Sequence, residues 1–152
     1  YRRGLYTFIR RTSPYPSLLT FDGTSREFCT VRRVRTNTPL QALVTVDDVH
    51  FVEASRKFAE RLMREGVGEF AGRVRLAFQL AVSRAPTPEE VAICQRVYDR
   101  QLASFQADPA AAEKYLKTGE SPRDAAINPV ELAAWAVVAN MILNLDEFLM
   151  RG

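Results

Sequence analysis

The feature that most constrains the fold is a helix-start signal that occurs four times, in which a Thr, Asp or Asn stands directly before a proline. A Thr, Asp or Asn side chain can accept a hydrogen bond from a free amide of the first helical turn, and proline fits the first helical position because it has no amide hydrogen to leave unpaired. Each signal predicts a helix that begins beside its proline. The four signals are Thr38-Pro39, Thr87-Pro88, Asp108-Pro109 and Asn128-Pro129.

Apolar periodicity extends these helices and predicts others. In residues 49–64 the predicted buried stripe consists of Phe51, Ala54, Phe58, Ala59 and Leu62. The last helix is apolar on nearly all sides, which predicts a central position in a bundle. The expected helices cover residues 1–11, 26–34, 39–46, 49–64, 70–82, 88–107, 109–117 and 130–150.

These patterns predict an all-α fold, an irregular helical bundle of about six to seven helices with a loop-rich, Arg-rich N-terminal segment. We expect residues 1–152 to form a single helical domain excised from a larger protein. In it, a basic, turn-rich segment (residues 1–43) packs on a helical bundle (residues 44–152). No apolar run approaches the ~20 residues that a membrane-spanning helix needs.

Basic charge is concentrated near the N-terminus. Residues 1–35 contain eight Arg against Asp22 and Glu27, a net charge of +6, so the remainder carries −3. Arg suits planar, bidentate contact with carboxylate or phosphate. These Arg can pair with acidic helices of the same chain, with another part of the parent protein, or with an anionic ligand or partner. Weak aromatic interleaving and the lack of a known fingerprint disfavour nucleic acid.

The usual catalytic and metal-binding side chains are sparse. His50 is the single histidine, and Cys29 and Cys94 lie 65 residues apart without metal-type spacing, so no zinc site is expected within this chain. We interpret His50 as a surface or helix-entry residue next to Asp48. The two cysteines can form a disulfide in an oxidising compartment, but two unpaired, buried thiols are the favoured interpretation. No catalytic residue is assigned.

The most unusual stretch, residues 20–41, combines Arg, Asn, Thr, Gln and Asp in turns and short helices. Such a cluster can bind an anion or a sugar through fork-like donors, or it can be a satisfied polar network that holds irregular backbone in place. Both interpretations remain open. The candidate ligand-binding residues are Asp22, Arg26, Arg32, Arg33, Arg35 and Asn37.

Several stretches of the sequence are recognisable together: residues 1–6, 16–22, 25–33, 35–43 (RTNTPLQAL), 84–90 (RAPTPEE), 131–135 and 144–148. They resemble the C-terminal part of the planctomycete-specific domain family (PSD type), a family of unknown function found in secreted, cytochrome-c-bearing proteins. The resemblance extends over essentially the whole chain, and its first 43 residues are the most specific.

The resemblance implies a large parent protein exported to the periplasm or cell surface, with a haem-binding domain elsewhere. No CxxCH motif occurs in this chain, so no cofactor is expected within it. The leading hypothesis is a helical accessory or interaction domain without a catalytic centre of its own, whose partners are upstream domains of the parent. The alternative is an Arg/Asn-rich surface that binds an anionic polysaccharide for an enzyme site completed by the parent.

Overall fold

The structure, a computed structural model, describes residues 6–10, 12–25, 27–32 and 36–149. Within these residues it contains eight α-helices and no β-strand, which confirms the all-α prediction. In chain order they are α1 Pro16–Thr20, α2 Pro39–Asp47, α3 Val49–Glu65, α4 Phe70–Val82, α5 Pro88–Ala107, α6 Pro109–Leu116, α7 Pro129–Leu143 and α8 Asp146–Leu149.

Packing divides the chain into two compact units, residues 1–44 and residues 45–152. The first unit contains α1 and most of α2, and between them its described residues form turns and bends. The second unit contains the bundle α3–α8. The arrangement of both units as one domain remains a prediction.

Helix α7 is the central helix of the second unit, as its apolar sequence predicts. It packs against α3, α4, α5, α6 and α8. Trp135 is 1% exposed and lies among the side chains of its neighbours, with ring centroids 4.8 Å from Phe70 and 5.3 Å from Tyr98. Small residues on α7, such as Ala133 and Ala136, are fully buried, so neighbouring helices can approach closely.

Two Asn residues near the end of α7 fix the last turn of α2. The Asn140 side chain donates to the Thr45 carbonyl oxygen (3.2 Å), and the Thr45 hydroxyl donates to Asn144 Oδ1 (2.6 Å). Asn144 is also the C-cap residue that follows α7. The predicted continuous helix to residue 150 is therefore wrong, because the helical backbone is interrupted at residues 144–145 before α8 begins.

Two other helix predictions are wrong in the described part of the chain. Residues 6–10 and 27–32 adopt turns, bends and irregular backbone rather than α-helix. Residues 27–32 are all exposed, so an apolar face there has no surface to bury against, and short helices depend on such packing. The remaining parts of these two predicted helices lie outside the described residues.

Candidate functional site

Within the polar stretch, Asp22 is held by hydrogen bonds to Thr36. The Asp22 backbone has a φ of +58°, a left-handed conformation that Asp tolerates better than most residues. Its carboxylate accepts from the Thr36 amide and from the Thr36 hydroxyl, both at 2.8 Å. These contacts join the turn after α1 to the segment that leads into α2.

Gln41, on the first turn of α2, is the centre of this network and is only 5% exposed. Its Nε2 donates to the Thr20 carbonyl oxygen (2.9 Å) and to the Thr36 hydroxyl (3.0 Å). Its Oε1 accepts from the Thr38 amide, while the Thr38 hydroxyl accepts from the Gln41 amide. This reciprocal pair is a capping box, and the Thr-Pro-Leu-Gln spacing in the sequence was the signal that could have identified Gln41 as structurally important.

Three of the six candidate ligand-binding residues, Asp22, Arg32 and Asn37, lie in the described part of the first unit. Asp22 lies in the network, and Asn37 is exposed and directly follows Thr36. Arg32 lies in the exposed stretch 27–32. Arg26, Arg33 and Arg35 lie outside the described residues. Asp22 and Arg32 therefore occupy different settings, one bonded into the turn and the other facing solvent.

A depression of about 340 Å³ lies in the first unit, within and beside the exposed stretch 27–32. Its described lining residues are Thr24, Glu27, Phe28, Cys29 and Thr30. Among these described residues, Glu27 is the charged one, and Phe28, 73% exposed, supplies an apolar wall.

Exposed apolar side chains are concentrated in the first unit. Among the described residues, eight of the thirteen large apolar side chains that remain exposed belong to it, although this unit is less than a third of the chain. Val31 is fully accessible, and Leu40 and Leu43 are more than half exposed. The eight are Tyr6, Phe8, Tyr15, Leu19, Phe28, Val31, Leu40 and Leu43. Exposed apolar side chains often mark contact sites where they form a contiguous patch on the surface.

The second unit, in contrast, pairs many of its charged side chains with one another. All ion pairs between described residues lie within it, among them Arg61–Glu65, Arg64–Asp124 and Arg123–Glu113. In the first unit, the described Arg10 instead lies 6.0 Å from the Phe8 ring. The net charge of +6 on residues 1–44 is thus carried by the unit with the larger share of exposed apolar side chains.

Arg84 connects three elements of the second unit. Its guanidinium donates to both Glu90 carboxylate oxygens (2.9 and 2.6 Å) and to both Glu147 oxygens (2.7 and 2.9 Å). Hydrogen bonds from Arg84 lower the pKa of Glu90 to about 2 and also lower the pKa of Glu147. Glu90 additionally closes the predicted cap of α5 by accepting from the Thr87 amide. The hydrogen bonds of Arg84 therefore hold α8 next to the start of α5.

A buried group of charged residues on α3 is the feature that sequence reasoning missed. Glu53, Arg56 and Glu60 are 2%, 1% and 4% exposed. Arg56 lies 3.8 Å from Glu53 and 3.5 Å from Glu60, and it donates to the Ser121 carbonyl oxygen at 2.6 Å. These side chains lie beneath the loop between α6 and α7. The predicted stripe on α3 is wrong in part, because Ala54 is exposed while these charges are buried.

The histidine and the two cysteines, which could take part in catalysis or metal binding, show no such arrangement in the part of the chain that the structure describes. His50 is exposed, and its Nδ1 lies 3.0 Å from Asp48 Oδ1 at the start of α3, which confirms its interpretation as a helix-entry residue. Both cysteines are unpaired, but Cys29 is exposed rather than buried, because the stretch around it is exposed. Across the described residues, no group of three His, Cys, Asp or Glu side chains is placed to hold a metal ion.

Comparison with known families now adds to this geometry. Residues 1–98 match the family described as PSD1, a protein of unknown function (DUF1553). The chain belongs to this family. The family resemblance drawn from the sequence is therefore confirmed for residues 1–98, whereas the similar stretches 131–135 and 144–148 lie outside the match. No curated protein and no solved structure matches the chain.

Among the described residues of this PSD1 family member, no helix is both long and apolar enough to cross a membrane. The family match covers the whole first unit, α3 and α4, and about half of α5. It therefore includes both the unit with the exposed apolar side chains and the helix that carries the buried charges. Because the family has no described activity, function has to be inferred from these surfaces.

Proposed function

We propose that this chain is an interaction domain of a larger exported protein, and that its first unit is the docking face for the other domains of that protein. The observation that carries the proposal is the concentration of exposed apolar side chains on residues 6–44. Protein interfaces combine an apolar centre with Arg and aromatic residues. The first unit has this composition, with Phe8, Phe28 and Leu43 exposed and a net charge of +6.

The second unit supports the same proposal by its contrast. Many of its charged side chains pair with each other, and most of its large apolar side chains pack in the core around α7. In this proposal the first unit makes the contacts with the other domains, and the second unit forms its own separate core. Export to the periplasm or cell surface, and a haem-bearing domain elsewhere in the parent, belong to the proposal through the resemblance to secreted planctomycete proteins.

Hydrogen exchange measured by mass spectrometry tests the docking face. The exchange of residues 27–32 and 40–43 is compared between the 152-residue chain alone and the same chain within the full-length parent protein. We expect slower exchange of both stretches in the parent, because an interface excludes water from them. Equal exchange in the two samples would contradict docking through this unit.

A matched pair of variants separates docking from a general loss of stability. Leu43→Glu places a charge in the first unit, and Val67→Asp does the same at an exposed position of the second unit, where Val67 is 89% exposed. We expect Leu43→Glu, and not Val67→Asp, to restore fast exchange of residues 27–32 in the parent. Identical exchange in both variants would refute the docking role of Leu43.

The same chain can be tested for the alternative function, a surface for anionic polysaccharide. Binding to sulfated, carboxylated and neutral glycans is measured with an Arg32→Ala variant beside the unchanged chain. Arg32 is exposed in the first unit, so its loss should not disturb the core. Binding of sulfated glycans that is lost in the variant would favour the glycan function over docking, and binding to none of the glycans supports docking.

A further inference from the structure

The second unit contains a small apolar cavity between α4, α5 and α7. Its volume is about 100 Å³, and part of its wall is contributed by Leu145, just before α8. Ile93, which borders the cavity, is 43% exposed and places its opening at the surface of α5. The apolar lining consists of Phe78, Ile93, Cys94, Met141, Ile142 and Leu145.

Among the described residues of the wall, Glu90 is the one charged residue, and it presents little charge to the interior. Both of its carboxylate oxygens accept from Arg84, and one also accepts from the Thr87 amide. The Arg84 guanidinium lies 5.2 Å from the centroid of the Phe78 ring, so it is also held in place. Cys94 is 1% exposed, and burial raises the pKa of its thiol to about 11, which keeps it neutral near pH 7.

The lining residues that the structure describes therefore offer neither a free charge nor a set of polar partners for water. A water molecule occupies about 30 Å³ and needs two to four polar partners, and apolar cavities in proteins stay dry and take up apolar molecules instead. An engineered apolar cavity of about 150 Å³ holds benzene. A cavity of about 100 Å³ that opens to the surface suits a hydrocarbon group of about this size or smaller.

We propose that this cavity is a binding site for a small, uncharged hydrocarbon ligand. The wall supplies van der Waals contacts from side chains of three helices, with the two sulfur atoms of Cys94 and Met141 as polarisable contacts. Hydrogen bonds from Arg84 hold the Glu90 carboxylate in place at the cavity wall. The described lining residues all belong to the second unit, so the tests of this site and the tests of the proposed docking function are independent of each other.

The first test uses Cys94 as a reporter of the cavity in a Cys29→Ser background, which leaves one thiol. Ethylmercury chloride, which is small and apolar, should label Cys94 in the folded protein, whereas iodoacetate, which is charged, should not. Saturating benzene should slow ethylmercury labelling at least fivefold, and benzoate at the same concentration less than twofold. Labelling that benzene leaves unchanged, or that occurs only at the rate of global unfolding, would overturn the proposal.

A second measurement does not require a variant. Methyl signals of Ile93, Ile142 and Leu145 are followed by NMR during a benzene titration, with Leu80, 40% exposed on α4 and not part of the lining, as the internal control. We expect saturable shifts at the three lining residues and none at Leu80. Shifts of equal size at all four residues would show non-specific partitioning and would refute a defined site.

Discussion

The carboxylate of Glu53 is predicted to hold the loop between α6 and α7, and Glu53→Ala should release it. The two oxygens of this buried side chain accept from the Glu120 amide (3.0 Å) and the Ser121 amide (2.8 Å), and one lies 3.8 Å from Arg56. Hydrogen bonds to a charged group contribute roughly 1.5–3 kcal/mol each. Because the freed Glu120 amide belongs to an exposed residue and can bind water, we expect the free energy of unfolding to fall by ~3–4 kcal/mol in total.

The free energy of unfolding of the second unit is measured by urea denaturation, with the melting temperature as a second measure. A loss of this size corresponds to a decrease of ~10 °C for a chain of about 150 residues. Glu53→Gln keeps one acceptor oxygen and should lose only ~1–2 kcal/mol. Glu69→Ala, at an exposed position whose side chain makes no cap hydrogen bond, is the matched control and should change stability by less than ~0.5 kcal/mol.

Amide hydrogen exchange gives a local measure of the same effect. In Glu53→Ala the amides of Glu120 and Ser121 should lose protection beyond the change expected from lower global stability. The Leu132 amide, which donates to the Asn128 carbonyl oxygen at the start of α7, reports that global change. If the free energy of unfolding of Glu53→Ala lies within ~1 kcal/mol of that of the unchanged protein, and both loop amides keep their protection, Glu53 does not hold this loop.

Two further predictions concern the same unit. Gly119 and Gly68 have φ values of +93° and +90°, but a Cβ at Gly119 would overlap the Glu53 carboxylate while one at Gly68 meets open space. Calorimetry should therefore show a loss of at least ~3 kcal/mol for Gly119→Ala and ~1–2 kcal/mol for Gly68→Ala, and equal losses would contradict the overlap. The pKa of Glu90, lowered from 4.5 to about 2, stabilises the fold above pH ~5, and this contribution is lost as the pH falls toward 2. In denaturation curves at pH 2–6, Glu90→Gln should reduce the change in the free energy of unfolding with pH by ~1–2 kcal/mol, after allowance for solvent screening. The same dependence of that free energy on pH in the variant and the unchanged protein would refute this prediction.

Helix starts were the part of the fold that sequence reasoning identified correctly. At Thr87-Pro88, Asp108-Pro109 and Asn128-Pro129, the side chain before the proline accepts an amide hydrogen bond in the structure, as expected. At Thr38-Pro39 the Thr38 hydroxyl accepts from the Gln41 amide. These signals are reliable because the donor and acceptor lie within three residues of each other. No distant part of the chain is needed to complete them.

The buried face of α3 could not be predicted, because the partners of its charged side chains are distant in the sequence. Arg56 and Glu53 look like solvent-facing residues in an amphipathic pattern, since charged residues are seldom buried without partners. Their partners are the backbone groups of Glu120 and Ser121, more than 60 residues later in the chain. A periodicity argument compares neighbours only, so it assigned the apolar stripe to Ala54, which is exposed.

The polar stretch 20–41 shows why residue types alone do not identify a ligand site. Asp22 was a candidate for ligand binding, and in the structure its carboxylate accepts two hydrogen bonds from Thr36, which position the segment before α2. An Asp22→Ala variant would therefore lose turn structure together with any ligand contact, and weaker glycan binding in it would not distinguish the two. Arg32, exposed on the same unit, avoids this ambiguity. If Arg32→Ala removes glycan binding while thermal stability is unchanged, the loss has to be assigned to ligand contact rather than to folding.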